Sequence, residues 1–67
     1  MTLTAVLIPD PEGGFVALNP ETGTTTQGET LDQALASLRE ATELYLEEFP
    51  LAQKGPSLLT TFEVRRA

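Results

Sequence analysis

The chain contains no cysteine, no histidine and no tryptophan. Without Cys there is no disulfide, no thiol nucleophile and no thiolate metal ligand. Without His there is no Ser-His dyad, and the commonest side-chain ligand of zinc is missing. Basic residues are scarce too: four Lys and Arg stand against ten Asp and Glu, a formal net charge of −6. That is the wrong sign for following a phosphate backbone, so no direct nucleic-acid binding is expected, and Arg65-Arg66 reads as a solvated tail. No apolar run approaches the roughly 20 residues that span a bilayer. The start MTLTAVLIPDPEGG has no basic region ahead of its short apolar run, which Pro9 interrupts, so it does not read as a secretory signal. The expectation is a soluble cytoplasmic protein with no membrane association, and the lack of Cys agrees with a reducing compartment.

What is present is enough for one domain, residues 1–67, with one modest core. A domain of this length hides only roughly 60% of the surface its unfolded chain exposes. Small domains compensate with disulfides, a structural metal or association. The first is excluded here and the second lacks its usual ligands, which leaves self-association or a partner.

Residues 2–8 form an apolar, β-branched run that ends in the turn-forming cluster Pro9-Asp10-Pro11-Glu12-Gly13-Gly14. Residues 15–18 make the returning strand, and Asn19-Pro20-Glu21-Thr22-Gly23 is a second turn. Residues 24–27 are polar but β-branched, which suits a solvated edge strand. Thr30-Leu31-Asp32-Gln33 has the form of a capping box and opens a helix over residues 30–49. Leu31, Leu35, Leu38, Thr42, Tyr45 and Phe49 recur at steps of four and three beside Ala34 and Ala41, so they are expected to share the core stripe. Asp32, Glu40, Glu43 and Glu47 fall opposite. Pro50 ends the helix. After a connection at residues 51–57, residues 58–65 alternate with the period of a strand that buries one face.

The expected fold is therefore α+β in the order β-β-β-α-β. A three-stranded antiparallel meander is joined by a fourth strand parallel to the first, in sheet order 3-2-1-4, with one helix packed on one face. If the first hairpin closes with Ile8 opposite Phe15, then Val6, Ile8, Phe15 and Ala17 share one face, while Leu3, Ala5, Leu7, Val16 and Leu18 share the other. A single helix covers a single face. Val6, Ile8, Phe15 and Ala17 are accordingly the candidate partner or oligomer interface, unless the 51–57 connection or a register shift covers them.

No catalytic residue, cofactor site or metal site is expected. Asp10 and Glu12 lie in a turn, Glu21 and Glu29 flank the third strand, and the helical acids face solvent, so no pair of carboxylates converges. Residues 2–8 carry no acid that could serve a two-metal site. Gly13-Gly14 and Gly28 lack a phosphate-loop pattern and a following Lys.

The series Gly14-Phe15-Val16-Ala17, Asn19-Pro20-Glu21 and Gly28-Glu29-Thr30, followed by residues 31–46 with Ala34, resembles the HicB antitoxin domain over residues 3–49. Gln33 stands where that family commonly has Glu, and it serves a capping box equally well. The resemblance implies a partial ribonuclease-H-like domain without that fold's catalytic acids. It also implies a non-enzymatic protein that binds and neutralises a small basic HicA-type ribonuclease toxin. Many HicB proteins carry a C-terminal DNA-binding module, which residues 1–67 do not encode. The expected partners are thus a basic toxin-like protein and further copies of the chain, as dimer or tetramer. The alternatives are an orphan oligomerisation or scaffold domain, and a hydrolase using carboxylates with a divalent ion.

Overall fold

The computed structural model describes residues 1–52, 55 and 57–66. Its elements are β1 (Val6–Pro9), β2 (Phe15–Asn19), β3 (Thr24–Gly28) and α1 (Leu31–Glu48). The strands form one antiparallel sheet in the order β1-β2-β3, with α1 on one face. The chain is thus α+β and begins as the expected meander and helix. The expected connection at residues 51–57 lies partly outside the described residues. Residues 58–66 run without strand pairing, so the sheet described has three strands.

Each turn has a local cause. At the first hairpin the Asp10 N–H donates to the Gly14 carbonyl at 3.0 Å, and the Asp10 carboxylate accepts from the Glu12 N–H at 2.9 Å. Such Asx contacts substitute for backbone pairing in a tight loop. Gly14 has φ +79°, and a Cβ there would lie 2.6 Å from the Gly28 carbonyl oxygen, so the position needs glycine for both conformation and space. The second turn closes through the Gly23 N–H on the Asn19 carbonyl at 2.8 Å.

The register pairs Pro9 with Phe15, Ile8 with Val16, Leu7 with Ala17 and Val6 with Leu18. This is one residue away from the expected closure of Ile8 on Phe15. Pro9 is a strand residue, tolerated because β1 is an edge and a proline there forfeits no ladder bond. A one-residue slip moves every side chain of one strand to the other face. Leu7, Phe15 and Ala17 therefore lie together beneath α1, whereas Val6, Ile8, Val16 and Leu18 share the open face.

The helix begins as its cap residues dictate. The Thr30 hydroxyl accepts from the Gln33 N–H at 3.1 Å, and the Gln33 side chain accepts from the Glu29 N–H at 3.0 Å, one residue earlier than a standard capping box reaches. At the other end the Phe49 N–H closes on the Tyr45 carbonyl before Pro50. Ala17, Ala34 and Leu38 form the buried core, with Leu7 and Phe15 packed against them. The Thr26 hydroxyl donates to the Ala34 carbonyl at 3.1 Å and ties β3 to the helix. The expected core stripe is narrower than its periodicity suggested. Leu31, Leu35, Tyr45 and Phe49 are exposed, because α1 lies over β3 and β2 and only marginally over β1.

Candidate functional site

The densest polar arrangement is built at the turn after β2. Asn19 ends the strand on the helix side and is only 2% exposed. Its Nδ2 donates to the Thr4 carbonyl and to Glu21 Oε1, each at 2.7 Å, and its Oδ1 accepts from the Thr22 N–H and hydroxyl. Glu21 Oε1 also accepts from the Thr4 N–H at 2.7 Å. Its Oε2 accepts from the Thr4 hydroxyl at 2.7 Å and the Ser57 N–H at 2.8 Å.

These four donors, joined by the Ser57 hydroxyl, fill the acceptor sites of one carboxylate. The Thr4 N–H foremost, with the Ser57 N–H and the hydroxyls of Thr4 and Ser57, lowers the Glu21 pKa from 4.5 to about 2, against an opposing effect of desolvation. A carboxylate so occupied has no lone pair left for a substrate proton or a metal. Its work is structural: it joins the segment before β1, the β2–β3 turn and the start of the C-terminal segment. Sequence reasoning treated Glu21 as a flanking acid. The local signal available was the run Asn19-Pro20-Glu21-Thr22, which identifies a turn but not the distant Thr4 and Ser57.

The linkage has a definite sign. Because the folded pKa is depressed, the stability Glu21 contributes is complete above pH 4.5 and disappears as pH falls toward about 2. The urea midpoint of the native chain should therefore drop across that window. Glu21→Gln should start from a lower midpoint and lose less of it there, and equal acid slopes for the two proteins would show that the clamp does not depend on charge.

The remaining acids do not converge. Asp10, Glu12 and Glu29 rim a shallow depression beside Gly13, Gly14 and Gly28, with Asp10 engaged by the Glu12 N–H. Among the described residues no group of three or more potential ligands could hold a metal ion. Nor, among these residues, is any helix long and apolar enough to cross a membrane.

Among the exposed apolar surfaces, two adjoin β1. The first is the open sheet face, where Val6 opposes Leu18 and Ile8 opposes Val16 across the β1–β2 ladder. Of the four residues expected to form an interface, Val6 and Ile8 lie on this face. Phe15 and Ala17 do not: Ala17 is fully buried beneath α1, and Phe15 packs against that core. The corrected patch is Val6, Ile8, Val16 and Leu18.

The second surface is a groove of about 510 Å³ between residues 1–5 and α1, where the offset helix leaves the β1 side uncovered. Its apolar wall includes Leu3, Ala5, Leu35, Leu38 and Leu46, with Arg39 and Glu43 also lining it. Thr42 lies in it, 7% exposed, and its hydroxyl has no hydrogen-bond partner among the described residues. An unsatisfied buried hydroxyl costs about 1–3 kcal/mol, so an occupant bringing an acceptor would recover part of that.

No protein-family model matches the chain, and no curated protein or solved structure is significantly similar to it.

Proposed function

We propose that this chain is a non-enzymatic interaction domain of the HicB antitoxin type, which binds and neutralises a small basic ribonuclease toxin of the HicA type in the cytoplasm. The observation that carries the reading is the uncovered patch of Val6, Ile8, Val16 and Leu18 on a chain of net charge −6. A contiguous apolar face on so small a domain is characteristic of an interface, and the net negative charge of the chain favours a basic partner in encounter rate. The exposed carboxylates Asp32, Glu40, Glu43, Glu47 and Glu48 lie on α1, on the other side of the sheet from the patch. Residues 58–65 complete the sheet as a fourth strand beside β1, in the order 3-2-1-4. Their alternation and the space at the β1 edge support this.

The direct experiment mixes the purified chain with the product of a neighbouring gene for a small basic protein. Titration calorimetry should show a complex, and RNA cleavage by that product should stop at stoichiometric ratio. Absence of both effects ends the antitoxin reading. Ile8→Asp should abolish the complex while preserving the helical circular-dichroism signal. Phe15→Asp should unfold the domain instead, since Phe15 packs on the core.

A second reading, an orphan oligomerisation domain, is favoured by the apolar side chains exposed in residues 58–66. It predicts self-association without a basic partner.

A further inference from the structure

The fourth-strand reading leaves open which chain supplies the strand. We infer that residues 58–65 are exchanged between two copies, each C-terminal segment docking along the free edge of the other copy's β1. The inference rests on the fourth-strand reading and is independent of any toxin.

The receiving edge can be derived from the β1 pattern. The Thr4 N–H and carbonyl both bond toward the β2 side, to Glu21 and Asn19, and the Asp10 N–H does likewise, to Gly14. Backbone groups alternate in direction along a strand, so residues 4, 6, 8 and 10 face β2. Leu3, Ala5 and Leu7 then direct their N–H and carbonyl groups outward, and none of these outward groups has a partner among the described residues. Pro9, with no N–H, ends the pairing surface. Beside this edge lies the groove lined by Leu35, Leu38 and Leu46, together with the unpartnered Thr42 hydroxyl. An unpaired edge next to an apolar groove is a template for strand addition.

The C-terminal segment fits that template in length, pattern and charge. Its eight residues match the seven from Leu3 to Pro9. Leu58, Thr60, Phe62 and Val64 form its apolar side, and Leu58 and Phe62 are 97% and 83% exposed. Charge selects the orientation. Laid parallel to β1, the segment brings Arg65 and Arg66 to the Asp10 and Glu12 loop. Laid antiparallel, it brings them to the groove lining of Met1, Arg39 and Glu43, where two positive groups outnumber one negative. The parallel arrangement meets two acids, whereas the antiparallel one meets a lining of net positive charge.

The Ser57 anchor favours a second copy as donor. Ser57 donates to Glu21 Oε2 while the other oxygen of that carboxylate holds Thr4 on its β2-facing side. The segment thus starts beside Thr4, whose hydroxyl shares Oε2 with the Ser57 N–H, and from there residues 58–66 run without pairing to their own β1 edge. A second copy's segment can take that unpaired edge while both copies retain the Ser57–Glu21 bond.

The test uses the full chain. Labelled and unlabelled chains are unfolded together, refolded and examined by sedimentation equilibrium, isotope-filtered NMR and amide exchange. Exchange predicts a dimer, intermolecular contacts from Phe62 and Val64 to Leu3, Ala5 or Leu35, and slowed exchange at the Leu3, Ala5 and Leu7 amides. Phe62→Asp, at an exposed site, should keep the helical signal and weaken the dimer on the order of a hundredfold. Arg65→Glu with Arg66→Glu should weaken it less, and more so at low salt. A monomer overturns the inference, as do the same contacts arising within one chain or a dimer whose β1 amides exchange freely. Toxin binding enters none of these readouts, so failure here is distinct from failure of the antitoxin reading.

Discussion

Asn19→Ala is expected to lower stability by about 3 kcal/mol, a large fraction of what a domain of this size possesses. The residue is 2% exposed and satisfies three neighbours: the Thr4 carbonyl, the Thr22 N–H and Glu21 Oε1. Alanine fills less space and makes none of these bonds, so a half-buried carbonyl and a turn N–H lose their partners. The cost of orphaned groups exceeds the modest net value of the bonds themselves. The damage should also be specific in place. The Thr4 and Glu21 contacts organise the entrance to β1, so amide exchange at residues 3–7 should accelerate before exchange in the middle of α1 does. Equilibrium urea unfolding measures the loss, with the slope unchanged if the transition stays two-state. A loss below 1 kcal/mol would mean that Asn19 only fills space and that the Glu21 clamp holds without it.

The helix and the meander were legible because local chemistry determines them. Thr30 and Gln33 start α1, Pro50 stops it, and Gly-rich turns separate the strands, so the predicted span of residues 30–49 differs from the observed element by one residue at each end. Register was not legible, and Pro9 is the reason. Read as a turn residue, it shortens β1 by one and places Ile8 opposite Phe15. As an edge-strand residue it pairs with Phe15 and turns every β1 side chain over relative to β2. Only half of the candidate interface, Val6 and Ile8, therefore lies on the open face, and Val16 and Leu18 join it. The Asn19–Glu21 network could not be read because its partners Thr4 and Ser57 are distant in sequence and chemically ordinary. In residues 58–65 the alternation predicts a fourth strand, but these residues run unpaired and the described sheet has three strands, because alternation alone supplies no pairing edge.

Gly28→Ala is expected to be as damaging, at about 3 kcal/mol, through space rather than hydrogen bonding. A Cβ on Gly28 would lie 2.4 Å from the Ala34 backbone nitrogen and 2.9 Å from both Ala34 Cα and the Gln33 carbonyl carbon. These are helix backbone atoms, not the tip of a flexible side chain, so relief requires α1 itself to move. The helix is held there by the Thr30 cap, by the Thr26 hydroxyl on the Ala34 carbonyl and by burial of Ala34 against Ala17, so movement strains all three. Gly23→Ala is the control. Nothing lies within 4 Å of its Cβ position, but φ is +81°, so it should cost only about 1 kcal/mol of backbone strain. A Gly28→Ala cost no greater than the control's would mean that the helix rides on β3 with slack. If the larger cost is found, the consequence reaches the β1 side. The same close approach of α1 to β3 sets the helix off-centre, and that offset leaves the Leu35 side of the groove uncovered.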